Sequence, residues 1–167
     1  MIEVVIDSIR ISLISQHRIV MLRDIDGDRQ LPIWIGPCEA EAITIELQDV
    51  EIARPVTHDL LKNVITEMGG TVSHILINEL KEQVYFARLF IDVDGRMLEV
   101  DCRPSDAIAV AVRAKVPIFV DESVLDEAGI IPEPDIEEEE EGDAAEKLDA
   151  FKDFVDTLDF DDFEGDE

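Results

Sequence analysis

The chain has 167 residues, 46% of them hydrophobic, which is enough for one buried core with an appendage. No run approaches the roughly 20 apolar residues of a membrane span, and Met1-Ile-Glu-Val lacks the basic start of a signal peptide. The net charge of −27 is unevenly spread: residues 1–132 hold 12 Lys/Arg against 23 Asp/Glu, and residues 133–167 hold 2 against 18, so any nucleic-acid role must rest on a local basic site or on bound cations.

Residues 2–14 are β-branched and alternate imperfectly, which predicts a strand. Ser15-Gln-His-Arg18 is a turn, and residues 19–23 form the second strand. Asp26-Gly27 turns that strand into a third at residues 31–35, since Asp-Gly between apolar runs is a hairpin signal. Asp24-Ile-Asp-Gly-Asp28 has the look of a calcium loop. An EF-hand needs Gly at position 6 and Glu at position 12, whereas here Gly stands at position 4 and Ile35 at position 12. Residues 39–48 carry Ala40, Ile43, Ile45 and Leu47 at spacings that predict a helix.

Residues 51–56 are a connection, after which Thr57 reads as the N-cap of a helix over 58–68. Leu60, Leu61, Val64, Ile65 and Met68 form an apolar stripe on it, expected to face the core, and Gly69-Gly70 ends it. Strands follow at 72–78, 84–92 and 97–102, the last two joined by Asp94-Gly95. Ser105 reads as the cap of a third helix running to Lys115, with the small apolar face Ala107, Ile108, Ala111 and Val112. A short strand at 116–120 and a short helix at 124–128 complete the folded part. The sequence thus predicts an α+β domain over residues 1–132 with mostly antiparallel sheets, because strict βαβα alternation is missing.

Beyond Pro132 the composition changes. Residues 133–145 read as an acidic disordered linker. Residues 146–167 read as an acidic tail with one amphipathic helix, whose stripe is Leu148, Phe151, Phe154, Val155 and Leu158. That helix is expected to dock on this domain or on a protein partner. Exposed strand edges make a homodimer the expected assembly. Cys38 and Cys102 form no CxxC pair and read as reduced thiols of a cytoplasmic protein.

One short design occurs twice. Leu31-Pro-Ile-Trp-Ile-Gly-Pro-Cys-Glu-Ala40 and Leu98-Glu-Val-Asp-Cys-Arg-Pro-Ser-Asp-Ala107 each join an apolar run to Pro-x-acid-Ala and then a helix, and each follows an Asp-Gly turn. The repeated strand-hairpin-strand-helix unit predicts two helix starts with a carboxylate in the first turn. Such starts offer free N–H groups and a positive dipole end. The second copy adds Arg103 and Ser105, a reasonable phosphate cradle as well as a plain cap. Arg54-Pro-Val-Thr-His-Asp59 repeats that chemistry. Its His58 stands where the helix dipole opposes a proton, so it is a candidate metal ligand or general base as well as an ordinary surface histidine.

Three segments carry a resemblance: Leu31-Pro-Ile-Trp-Ile-Gly36 with Glu39, Arg54-Pro-Val-Thr-His-Asp-Leu60, and Asp101-Cys-Arg-Pro-Ser-Asp-Ala-Ile108 with Pro117-Ile118. In that order they resemble the bifunctional nuclease family over residues 1–130. The resemblance implies hydrolysis of phosphodiester bonds in RNA and DNA, with nucleic acid as the substrate. On that expectation His58, Asp59 and Asp106 are the catalytic candidates, and Arg54, Arg103 and Ser105 hold the phosphate. Glu39, Asp59 and Asp106 would bind a divalent cation, most simply Mg²⁺. The alternative is a non-catalytic domain that binds a phosphorylated ligand or a protein partner. A third reading makes the acidic tail a nucleic-acid mimic over the site.

Overall fold

The computed structural model describes residues 1–12 and 17–132, so Ser15 and Gln16 of the expected first turn and the whole acidic tail, with its expected linker and helix, lie outside the described residues, while Arg18 already opens a strand. The strands are β1 (Ile2–Ile11), β2 (Arg18–Asp24), β3 (Gln30–Ile35), β4 (Gly70–Lys81), β5 (Val84–Val93), β6 (Arg96–Cys102) and β7 (Ile118–Val120). The helices are α1 (Pro37–Leu47), α2 (Thr57–Glu67), α3 (Pro104–Ala114) and α4 (Glu122–Ala128). All seven strands join one sheet in the order β3-β2-β1-β7-β4-β5-β6. Every neighbouring pair is antiparallel except β4 with β7. The fold is α+β and mostly antiparallel, in a single sheet.

The turn chemistry explains much of the path. Asp94 and Gly95 both have positive φ, 54° and 79°, the two-residue connection whose twist suits a hairpin. The Asp26-Gly27 connection is wider. There the Asp24 carboxylate accepts the Asp26 N–H at 3.0 Å, and Arg29 lies 3.4 Å from Asp24 and 2.9 Å from Asp126. The acidic run is therefore a hairpin connection with its own counter-charge.

The sheet curls far enough for strands distant in its order to meet. The Tyr85 hydroxyl on β5 donates to the Pro32 carbonyl on β3 at 3.4 Å. Helix α3 lies in the core, with Pro104, Ser105, residues 107–111 and Arg113 all buried. Its small side chains let β4 and β5 approach on one side and α1 and α2 on the other.

Two expected caps differ. Val56 is the N-cap of α2 and Thr57 its first helical residue, while Asp59 reaches back to accept the Val56 N–H at 2.9 Å. Arg103 is the N-cap of α3, Pro104 opens it, and Ser105 is its buried second residue. A proline suits the first helical position because its missing N–H would have had no partner there.

Helix α2 is also turned over relative to the expected stripe. Leu60, Leu61, Val64 and Met68 are exposed, and His58, Asp59, Lys62 and Ile65 face inward. The reason is Arg113, a buried cation on α3. It takes Asp59 as its counter-ion, and Lys62 Nζ donates to the Arg113 carbonyl at 2.8 Å. A buried guanidinium without a partner costs more than leaving four apolar side chains partly wet.

Candidate active site

Helices α1, α2 and α3 bring their N-terminal ends to one place. Each carries an acid in its first turn: Glu39, Asp59 and Asp106. A chain of contacts ties the three ends together. His58 Nε2 on α2 donates to Asp106 Oδ1 on α3 at 3.2 Å. Arg103 grips Asp106 through Nε (2.7 Å to Oδ2) and Nη2 (3.0 Å to Oδ1). The same Nη2 reaches Glu39 Oε1 on α1 at 2.7 Å.

The second link between the helices is Arg113. Its Nε donates to Asp59 Oδ1, its Nη1 to the Ala109 carbonyl at 2.8 Å and its Nη2 to the Ala42 carbonyl at 3.0 Å. One guanidinium thus satisfies acceptors on α1, α2 and α3 from a position 4% exposed. Arg113 belongs to none of the motifs read in the sequence. The available signal was a lone charge in the apolar run from Ala107 to Ala114, seven residues after Asp106 and hence on its face.

The electrostatics follow from these partners. Burial pushes the Asp106 carboxyl up, but hydrogen bonds from Arg103 and His58 and their charges outweigh it and hold it below the ordinary 3.8. Burial likewise pushes Asp59 up, and the Val56 N–H together with Arg113 brings it below 3.8. Cys102 moves the other way, to about 11, through burial and the charges of Asp101 and Asp106. A thiol so poorly ionised is no nucleophile.

The expected site residues therefore separate. Glu39, His58, Arg103 and Asp106 line one depression of about 380 Å³ with Cys38, Glu41 and Thr57. Asp59 has both carboxylate oxygens engaged, by the Val56 N–H and by Arg113, and serves the helix junction. Arg54 is exposed in the connection before α2, away from the lining of that depression. Ser105 lines a second depression of about 290 Å³, which shares Arg103 with the first. Among the described residues no three His, Cys, Asp or Glu side chains are grouped to hold a metal ion. Of the expected Mg²⁺ ligands, Asp59 is turned to Arg113, and Glu39 and Asp106 share the Arg103 guanidinium.

Gly36, the N-cap of α1, keeps Glu39 in place. A Cβ there would stand 2.2 Å from Glu39 Oε2, so the carboxylate must swing away. Gly36→Ala should remove the Glu39–Arg103 contact at a stability cost below about 1 kcal/mol, since Arg103 is largely exposed. The check is urea unfolding beside Glu39→Gln, with the two midpoints expected to agree.

Three helix starts joined by a His–Asp–Arg–Glu chain characterise the candidate site of this α+β domain. Residues 20–133 match the Bifunctional nuclease domain family, and the chain belongs to that family. It is similar to an uncharacterized protein of Mycobacterium tuberculosis, 41% identical over 162 residues, covering 96% of this chain and 97% of that protein. Bifunctional nuclease 2 of Oryza sativa subsp. japonica is 37% identical over 115 residues, which is 66% of this chain and 35% of the plant protein. Bifunctional nuclease 1 of Arabidopsis thaliana is 34% identical over 110 residues, 64% of this chain and 34% of that protein. No helix among the described residues is long and apolar enough to cross a membrane.

Proposed function

We propose that the domain hydrolyses phosphodiester bonds of RNA and DNA at the His58–Asp106–Arg103 cluster. The observation that carries this is the orientation of His58. Its Nε2–H is directed at a carboxylate held ionised by Arg103, and in the neutral ring the lone pair is then on Nδ1. Nδ1 has no hydrogen-bond partner among the described residues, and His58 lines the 380 Å³ depression. That is the disposition of a general base whose second nitrogen is fixed by an acid.

A substrate range covering both RNA and DNA requires water as the nucleophile, because DNA lacks the 2′-hydroxyl. His58 Nδ1 takes a proton from that water as its oxygen attacks phosphorus. The bond from phosphorus to the leaving sugar oxygen breaks, and that oxygen is protonated from solvent. Arg103 Nη1, with no protein partner among the described residues, donates to a non-bridging phosphate oxygen, as do the free N–H groups at the start of α3. Asp106 holds the histidine and the arginine in register. Glu39 holds Arg103 from the other side. Arg54 contributes long-range attraction only, from its exposed connection. No step is assigned to Mg²⁺; Glu39 and Asp106 would have to exchange Arg103 for it.

The test is turnover of single-stranded RNA and DNA by the purified full chain and by Arg103→Ala. Loss of one phosphate clamp should lower kcat/KM by about 10²-fold or more. Equal rates in both proteins, or no turnover by the wild type, would overturn the reading. The alternative of a non-catalytic binding domain draws on the strongly negative charge of the chain, since a nuclease without a basic stripe is unusual. Nucleotide binding without turnover would select it.

A further inference from the structure

The second depression opens on the other side of Arg103. Four features of it call for a ligand. Trp34, the single tryptophan of the chain, stands on the outer face of β3 with 61% of its surface exposed. Its neighbours Ile33 and Ile35 point into the core, so strand alternation leaves the indole no place inside. Tyr85 comes from the curled β4–β5 hairpin to the same wall, fixed through its hydroxyl to Pro32. Ser105 lines the depression at 7% exposure, and its hydroxyl has no hydrogen-bond partner among the described residues. The hydroxyl oxygen itself is not sealed from solvent, so it is open to a ligand in the depression. Finally, Arg103 borders both depressions, so a group bound here adjoins a phosphate bound there.

We propose that this depression is a nucleobase subsite, in which one unstacked base lies on Trp34 and the Ser105 hydroxyl hydrogen-bonds to that nucleotide. The proposal rests on the phosphodiesterase reading above and adds its substrate class: single-stranded nucleic acid, whose bases are free to leave their stack. An indole face accepts every base, whereas paired bases are withheld from it. At about 290 Å³ the space lies at the small end of ligand pockets, which suits one base and no more. An acidic chain needs such a contact, since it draws little affinity from the phosphate backbone.

The single tryptophan makes the test direct. The full chain is titrated with a non-hydrolysable phosphorothioate oligonucleotide while Trp34 emission is followed. Saturable quenching by the single strand, with much weaker quenching by the same strand as a duplex or with abasic sugars, is the expected result. Trp34→Ala should weaken binding of a labelled single strand by about 5- to 150-fold, and Trp34→Phe should restore most of it. If Trp34→Ala binds as tightly as the wild type while cleavage persists, the subsite is wrong and the phosphodiesterase reading stands. If the wild type neither binds nor cleaves the strand, both fall. Emission that changes on dilution of the protein alone would assign the indole to self-association and overturn the subsite.

Discussion

Arg113→Met should lower the free energy of unfolding by about 3–5 kcal/mol, read as the shift in the urea midpoint of the full chain. That is a large part of the 5–15 kcal/mol typical of a domain, about 10 kcal/mol in mid-range. The size follows from what the substitution leaves behind. Asp59 loses its counter-ion, and the helical carbonyls of Ala42 and Ala109 lose the second donor that ties three helices together. Methionine fills the volume but satisfies none of these groups. Replacing both partners, as Arg113→Met with Asp59→Leu, should therefore cost less than Arg113→Met alone. Acid provides the sign check. Asp59 titrates lower in the folded chain than its ordinary 3.8, so its contribution is fully present above that value and is lost as pH falls through the folded one. The gap in stability between wild type and Asp59→Asn should accordingly close below about pH 4.

The same arginine marks the limit of what local patterns reveal. The Asp94-Gly95 turn and the strands at 19–23 and 31–35 are decided by neighbours in sequence, and each was legible there. The inward face of α2 was not. Its periodicity identifies a helix and an apolar side, but which side packs is decided by a buried charge 54 residues away. Tertiary pairing outweighed amphipathicity, so Leu60, Leu61, Val64 and Met68 remain outside. The candidate site shows the same division. Glu39, His58, Arg103 and Asp106 stood out as acids, a histidine and an arginine at helix starts, because capping and dipole chemistry are local. That Asp59 belongs to Arg113, that Arg103 faces two depressions and that Trp34 joins the second one all depend on how the sheet curls. The Trp34 stretch read as a strand of one repeat; its outward indole becomes informative only once Ser105 and Arg103 are beside it.

His58→Ala should reduce kcat/KM for single-stranded RNA and DNA by about 10²–10⁴-fold, the usual worth of a positioned general base. Asp106→Asn should approach the same loss with little change in fold, because the asparagine keeps the shape but can present its amide N–H toward His58 Nε2. That reverses the preferred tautomer and places the proton on Nδ1, the nitrogen that must be bare. The carboxylate itself is not the group that titrates in the working range. Arg103 and His58 hold Asp106 below 3.8, so it stays ionised throughout neutral pH. A pH profile of the wild type should therefore show no activity limb from Asp106 above about pH 4. The double variant is the sharper measurement. Residues that act as one unit lose their effect together, so His58→Ala with Asp106→Asn should be scarcely slower than His58→Ala alone. Additive losses would mean that Asp106 acts on the phosphate through Arg103, independently of the histidine. In that case Arg103→Lys, which keeps the charge and loses the two-pronged grip on Asp106, should reproduce the Asp106→Asn defect with His58 intact.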